Sequence, residues 1–442
     1  MKHFGAGRAN VSLVTNLKKF WHLLPQEWRY EIASSTRHLS EPILAAALPK
    51  AQPEFDLPTS HVLVIGLFSS AIGHGSAANL LVTELQSSGI QCDTLDVSDL
   101  IVAPSSTART DMTPSLHVSS MTDVTAPTII LSINPDIAIH VLTRLGSNFL
   151  CGKRVIGYWV WELDVPPPSW RRLAKLVHEI WTPSQFSARA LRKMFSQPIY
   201  VVPHAVALSP PPVLTEDMRM RARRAFGIAP ATFVALQSFS FASSLARKNA
   251  IGAITAFTQA FDPEDDACLV IRYMSSSIYP AALLRLQAAA SIAGPQIKLV
   301  SRTDSPINLF DFYAMSDVYL SLHRSEGFGL NLAEAMSAGR PVIATAYSGN
   351  LDFMDATSAA LVAYTLEDID DVDGIYQNSD AQWASANYPK AANYLREFFD
   401  DPSKSEAICV RAKQIIVAKL SGGAAARHLR RVPETHQTQS DA

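Results

Sequence analysis

At 442 residues and 48% hydrophobic, the chain is long enough for two domains of ordinary size, each with its own core. Its 38 basic and 40 acidic side chains leave a net charge of −2, which excludes the strongly basic face of a nucleic-acid binder. No apolar run reaches the ~18 residues of a spanning helix and no signal-peptide core opens the chain, so it reads as cytoplasmic, soluble or at most peripheral to a membrane. Cys92, Cys151, Cys268 and Cys409 are scattered, without CxxC or a His/Cys ligand spacing, and read as reduced thiols.

Residues 1–57 read as a helical extension and linker. Trp21, Trp28 and Tyr30 follow Lys18 and Lys19 on one or two amphipathic helices, and QPEFDLPTS, with two prolines, ends the stretch. Such helices either lie on an anionic bilayer surface or pack on their own protein.

From His61 a doubly wound pattern begins, and residues 58–207 read as the first Rossmann-like domain. HVLVIGLF is a buried strand, SSAIGHGSAAN a loop, and AANLLVTELQSSG a helix that stops at Gly89. IQCDTLDVS, APTIILSIN and KRVIGYWVW are further strands, alternating with helical stretches as in a parallel sheet. Gly73, Gly75 and Ala78 fit G-x-G-x-x-A, with Asp93 and Asp96 near the distance of an NAD ribose carboxylate, which is the best argument for a dehydrogenase. Against it, the dinucleotide turn should follow its strand directly, and here Gly73 comes seven positions after Gly66. GYWVWELDVPPPSW then offers aromatic faces beside Glu162, a plausible sugar platform at Trp161, with Trp159 equally suited to the core. Ser184 reads as a helix cap, and His204, after IYVVP, as either a cleft residue or a structural histidine.

Residues 208–400 read as the second domain, opened by the stiff Pro210–Pro212 segment. After FVALQSFSFASSLARKN, Arg247 and Lys248 stand at the entrance of the helix AIGAITAFTQAF, where two fixed cations can oppose a diphosphate. Asp262, Glu264, Asp265 and Asp266 form an acidic turn without a metal-binding pattern and read as solvated surface. VYLSLH is a strand, RSEGFG a loop, LNLAEAMSAG a helix stopped by Gly339, and PVIAT the next strand. That order puts free backbone N–H groups and the positive helix end at the carboxyl edge of a parallel sheet, where a phosphate binds. Glu326 and Glu334 bracket the turn, with seven residues between them; taken singly they read as a loop carboxylate near a helix end and a solvated helix carboxylate. Residues 401–421 read as a helix, and 422–442 as a disordered tail.

The Glu pair around GFG, with SLHRSEGFGL, LAEAM, AGRPVIAT and SGNLDFM, resembles the signature of the retaining glycosyltransferases of family 4, in the bacterial polysaccharide-assembly branch. The resemblance implies the α/β GT-B fold, two doubly wound domains facing across a cleft, with the last helix, within 401–421 or YLREFFD before it, crossing back onto the first domain. It also implies a hexose moved from a nucleotide-sugar donor, a GDP-sugar such as GDP-mannose or a UDP-sugar, to a glycan or lipid-linked saccharide acceptor, with no metal or other cofactor required. By the same resemblance Glu334 grips the donor ribose and Glu326 lies near the transferred sugar, while Gly327, Phe328, Gly329 and Leu330 form the donor loop. SFSFASSLARKN resembles the diphosphate segment, with Ser240 where other members have Asp. The WE segment places Glu162 where others carry a cleft histidine, and the long glycine loop makes Gly73, His74 and Gly75 cleft residues on the acceptor side with Trp161. Two other readings stand beside this one: a non-catalytic GT-B protein that binds nucleotide sugar, and an NAD-binding oxidoreductase.

Overall fold

The computed structural model describes residues 59–70, 73–98, 125–145, 149–303, 305, 307–376 and 380–431. The extension at 1–57 and the last part of the expected tail lie outside them.

The first half runs β1 (His61–Gly66), α1 (Gly73–Ser87), β2 (Gln91–Asp96), β3 (Thr128–Ser132), α2 (Pro135–Leu145), β4 (Arg154–Tyr158), β5 (Glu179–Thr182), α3 (Gln185–Arg192) and β6 (Ile199–Val201). Its six strands are all parallel, in the order β2-β1-β3-β4-β5-β6. Apolar runs such as TIILS in β3 are buried at every residue because helices cover both sheet faces.

The second half begins with α4 (Glu216–Ala225), β7 (Phe233–Ser240), α5 (Leu245–Lys248), α6 (Ala250–Ala260), β8 (Ala267–Met274), α7 (Pro280–Ala293) and β9 (Ile297–Ser301). It continues with α8 (Leu309–Met315), β10 (Val318–Ser321), α9 (Leu330–Ser337), β11 (Val342–Thr345) and β12 (Ala360–Val362). The second sheet is also parallel and six-stranded, in the order β12-β11-β10-β7-β8-β9. An antiparallel hairpin of β13 (Tyr364–Asp368) and β14 (Gln382–Ala386) follows, then α10 (Tyr388–Asp400), α11 (Ser403–Leu420) and α12 (Ala424–Leu429).

Two expectations change. The segment from Gly73 is not a loop: α1 starts at that glycine, so the GHG triplet forms its first turn. The return to the first half is made neither by α10, which packs on α6, nor by α11, which packs on α9. It is made by α12, inside the stretch expected to be disordered. Gly422 and Gly423, both at left-handed φ of 91° and 86°, turn the chain, and the small residues Ala424, Ala425 and Ala426 bury against α1. Glu84 of α1 accepts from Ala425 N at 2.9 Å at the positive end of α12, and Arg154 Nη1 donates to Leu429 O at 3.3 Å at the negative end. No helix among the described residues is long and apolar enough to cross a membrane.

Candidate active site

The carboxyl ends of the strands face one another across a cleft of about 1240 Å³ lined by both halves. On the second half, β10 buries all four of its residues and leads into a loop that becomes α9 at Gly329. Gly329 has φ 95°, a conformation side chains resist, and this permits the turn into the helix. Gly327 is required for a different reason. A Cβ there would stand 2.7 Å from Val160 Cγ1 and 3.0 Å from Trp161 O, so the loop is pressed against the first half. Ser184 Oγ, the α3 cap, donates to Gly327 O at 2.6 Å across that contact. Phe328 turns its ring away into the core, against His204 and Phe353, and presents backbone to the cleft beside Leu330.

Arg247 and Lys248 lie on α5, whose cap Ser244 accepts from Arg247 N at 3.1 Å and donates to Asp371 at 2.8 Å. Lys248 Nζ donates to Glu326 Oε1, and Arg247 Nη1 to Glu326 Oε2 at 3.3 Å. Arg247 Nη2 lies 3.6 Å from Glu162 Oε1, and the guanidinium also donates to Ser325 O at 2.6 Å and Ser243 O at 3.1 Å. Tyr376 lies under it, 5.5 Å from ring centroid to guanidinium carbon. Two cations thus meet two carboxylates drawn from both halves. Burial by itself would raise the Glu326 pKa; Lys248, Arg247 and His323 outweigh it and hold the carboxyl down at about 2. Burial pulls Lys248 downward against the opposing pull of Glu326. For Arg247 burial also acts downward, but Tyr376, Glu326 and Glu162 prevail and raise it. The Arg247 donors all face protein acceptors, whereas the Lys248 side chain keeps 18% of its surface open.

Glu334 stands one turn into α9 and lines the same cleft. The Tyr313 hydroxyl, on α8, donates to Glu334 Oε2 at 3.2 Å and lies 3.3 Å from Asn331 O. Burial, and after it Glu334, lifts the phenol well above its ordinary range, so it remains a donor.

The first half contributes Glu162, aromatic rings and hydrogen-bonding groups. Gly73 and His74 line the cleft at the start of α1; His74 Nε2 is buried without a hydrogen-bond partner. Gly75 does not line it. A Cβ there would meet Ser70 O at 2.1 Å and Leu67 O at 2.6 Å, so the glycine serves the close approach of α1 to the preceding turn. Trp161 lines the cleft, packs on Trp170 at 5.1 Å and donates its indole N–H to Val165 O at 2.8 Å, leaving a ring face and edge but no donor for a ligand. Trp159 is wholly core. His204 is buried, shares a 2.8 Å hydrogen bond with Tyr158, and is held neutral, its pKa lowered to about 3 by burial and by His74. Asp96 accepts from Ser69 N at 2.9 Å and Ser98 Oγ at 2.6 Å, and Asp93 pairs with His61, so neither waits for a ribose.

Sequence reasoning missed Asn134, whose amide grips both backbone groups of Val160, at 2.8 and 2.9 Å, and so positions Trp161 and Glu162. It also missed Tyr376 and Arg272, which sit in an irregular strap and a plain strand and carry no motif. Among the described residues no three His, Cys, Asp or Glu side chains are grouped to hold a metal ion.

Residues 243–375, which carry this charged wall, match the model of the family of glycosyl transferases group 1. Anabaena HepE, solved with UDP-glucose, superposes at a TM-score of 0.59 with 13% identity, covering 84% of this chain and 98% of that one. The fold is GT-B. WaaG, a glycosyltransferase involved in lipopolysaccharide biosynthesis, has the same GT-B frame at a TM-score of 0.54, 14% identity, and coverage of 85% and 100%. So has the sucrose-phosphate synthase of Thermosynechococcus elongatus, at 0.58, 15% identity, and coverage of 84% and 97%. No curated protein sequence matches the chain. The resemblance drawn from the Glu326–Glu334 signature therefore holds at the level of group 1 glycosyltransferase segment and GT-B fold.

Proposed function

We propose that the protein is a retaining glycosyltransferase that moves a hexose from a UDP- or GDP-sugar to a hydroxyl of a glycan or lipid-linked saccharide. The observation that carries the reading is the convergence of Glu326, Glu334, Lys248 and the 327–330 loop on one wall of a single cleft. HepE, a GT-B neighbour, was solved with UDP-glucose, and WaaG acts in lipopolysaccharide biosynthesis, which favours a hexose donor and polysaccharide assembly on the cytoplasmic side.

In this reading Glu334 accepts the ribose hydroxyls, and the α9 N-terminus with the 327–330 backbone receives the diphosphate. Lys248 is the cation that turns from Glu326 to the leaving nucleoside diphosphate, while Arg247 holds Glu326 and Glu162 in place. The C1–oxygen bond to the diphosphate breaks as the acceptor oxygen bonds C1 on the same face. The acceptor proton passes to the departing phosphate oxygen, so no protein nucleophile is needed. Glu326 and Glu162 orient the sugar, and Trp161, Gly73 and His74 border the acceptor. The chain's share is positioning and stabilisation of leaving-group charge.

The test is incubation with UDP- and GDP-hexoses and candidate saccharide acceptors, with the product's anomeric configuration read by NMR. A retained anomer is expected. An inverted product would exclude the mechanism, and nucleotide-sugar binding without turnover against any acceptor would favour the non-catalytic reading.

A further inference from the structure

We propose that Arg272 selects the donor's nucleobase, favouring a base that presents carbonyl oxygen on its edge, uracil or guanine, over adenine. The inference rests on the nucleotide-sugar reading of the same cleft.

Arg272 sits on β8 in register with Ser238 of β7, only 5% exposed, and lines the cleft. The other deeply buried arginines among the described residues each meet a carboxylate: Arg154 meets Glu179, Arg223 meets Asp317, and Arg247 meets Glu326 and Glu162. Arg272 meets none among the described residues. Nη1 donates to Ser238 Oγ at 3.0 Å, the guanidinium carbon lies 5.4 Å from the Phe312 ring centroid, and Nε is buried with no partner. Burial and the neighbouring Arg302 lower its pKa to about 10, which leaves it charged at neutral pH. A buried cation with unfilled donors is costly in an empty site and is offset when a ligand supplies acceptors.

Its place identifies the part of the ligand it meets. Arg272 is linked to Glu334 by a chain of contacts through Ser238, Tyr319 and Tyr313: Tyr319 donates to Ser238 O at 3.2 Å, the two tyrosine rings are 6.0 Å apart, and Tyr313 holds Glu334. In the strand order β10-β7-β8-β9, the 327–330 loop follows β10 and Lys248 follows β7, whereas Arg272 stands in β8 and Arg302 just after β9, toward the other edge of the sheet. With the ribose on Glu334 and the diphosphate on Lys248, Arg272 and Arg302 fall on the base side. A guanidinium edge matches acceptors set side by side, such as O6 and N7 of guanine, or a single carbonyl such as O4 of uracil, whereas it is opposed by adenine's amino group.

The experiment is calorimetric titration of the full-length protein, and of Arg272→Met and Arg272→Lys, with UDP, GDP and ADP. Each variant's thermal unfolding is recorded alongside. The wild type is expected to bind UDP or GDP at least about tenfold more tightly than ADP, and whichever is tighter names the base. Arg272→Met is expected to lose about tenfold or more for that nucleotide and to change ADP binding by less than about threefold, with Arg272→Lys falling between. A wild type that prefers ADP, an Arg272→Met variant with unchanged preference, or an equal loss for all three nucleotides would overturn the assignment while leaving the transferase reading intact. Absence of any nucleoside diphosphate binding by the wild type would overturn both. Should Arg272→Met fail to fold, Arg272→Lys and the wild-type preference among uridine, guanosine and adenosine decide the question: no preference overturns it.

Discussion

β4 and β10 hold the same place in the order of their sheets, and the loops that follow them face each other across the cleft. After β10 comes a carboxylate held by two cations, a glycine at left-handed φ and the start of a helix. After β4 come aromatic rings and one carboxylate, Glu162, whose cation is borrowed from the opposite half. Around the β4 loop stand an asparagine clamp and a histidine kept neutral by burial. A parallel sheet with flanking helices supplies both halves with the same partial charges at its strand ends. The second half brings both cations, Arg247 and Lys248, and the carboxylate Glu326, while the first half brings the carboxylate Glu162 among aromatic and hydrogen-bonding groups.

That contrast can be broken experimentally. Lys248→Met removes the member of the Arg247–Lys248 pair with surface open to the cleft and should lower kcat/KM for transfer by on the order of 10²–10³. The check is steady-state kinetics with saturating acceptor, and an effect below tenfold would move the diphosphate elsewhere. Glu334→Ala removes a charged acceptor and should weaken nucleoside diphosphate binding by roughly 10- to 100-fold, the equivalent of about 1.5–3 kcal/mol, in calorimetry. On the first-half wall the two glycines of α1 should part company. Gly75→Ala meets backbone oxygens and should cost about 1–3 kcal/mol in denaturant unfolding, while Gly73→Ala, with nothing within 4 Å of its Cβ, should change stability little.

The pH windows separate the walls. The folded Glu326 pKa is depressed from 4.5 to about 2, so its stabilisation is complete above 4.5 and is lost as pH falls toward 2. His204 is depressed from 6.5 to about 3, so the folded state takes up that proton late and stability falls between pH 6.5 and 3. Urea unfolding across this range should therefore lose its upper slope in His204→Asn and its lower slope in Glu326→Gln.

The donor wall was legible because its chemistry is local. A strand, a glycine loop and a helix within residues 318–337 fix the relation of Glu326 to Glu334 by chain geometry alone. The first-half wall was less so. The glycines of the GHG triplet look alike in sequence, yet only Gly73 faces the cleft, because the turn before α1 folds back onto Gly75. The Ala-rich end of the chain carries too weak a helical pattern to be distinguished from a tail, and it is ordered by Glu84 and Arg154, more than 270 residues away in sequence.

By itself, then, the amino-acid order determined the two parallel sheets, the glycine loop after β10 and the pair of glutamates around it, since apolar runs, glycine stops and short spacings act within a few residues. Only the tertiary structure decided that Arg247 spends its donors on Glu326, Glu162 and backbone, that Gly327 is small because Val160 and Trp161 press on it, and that Arg272 is buried without a counter-ion. Each of these depends on where two distant strand ends meet, and that is set by how the halves close over their cores.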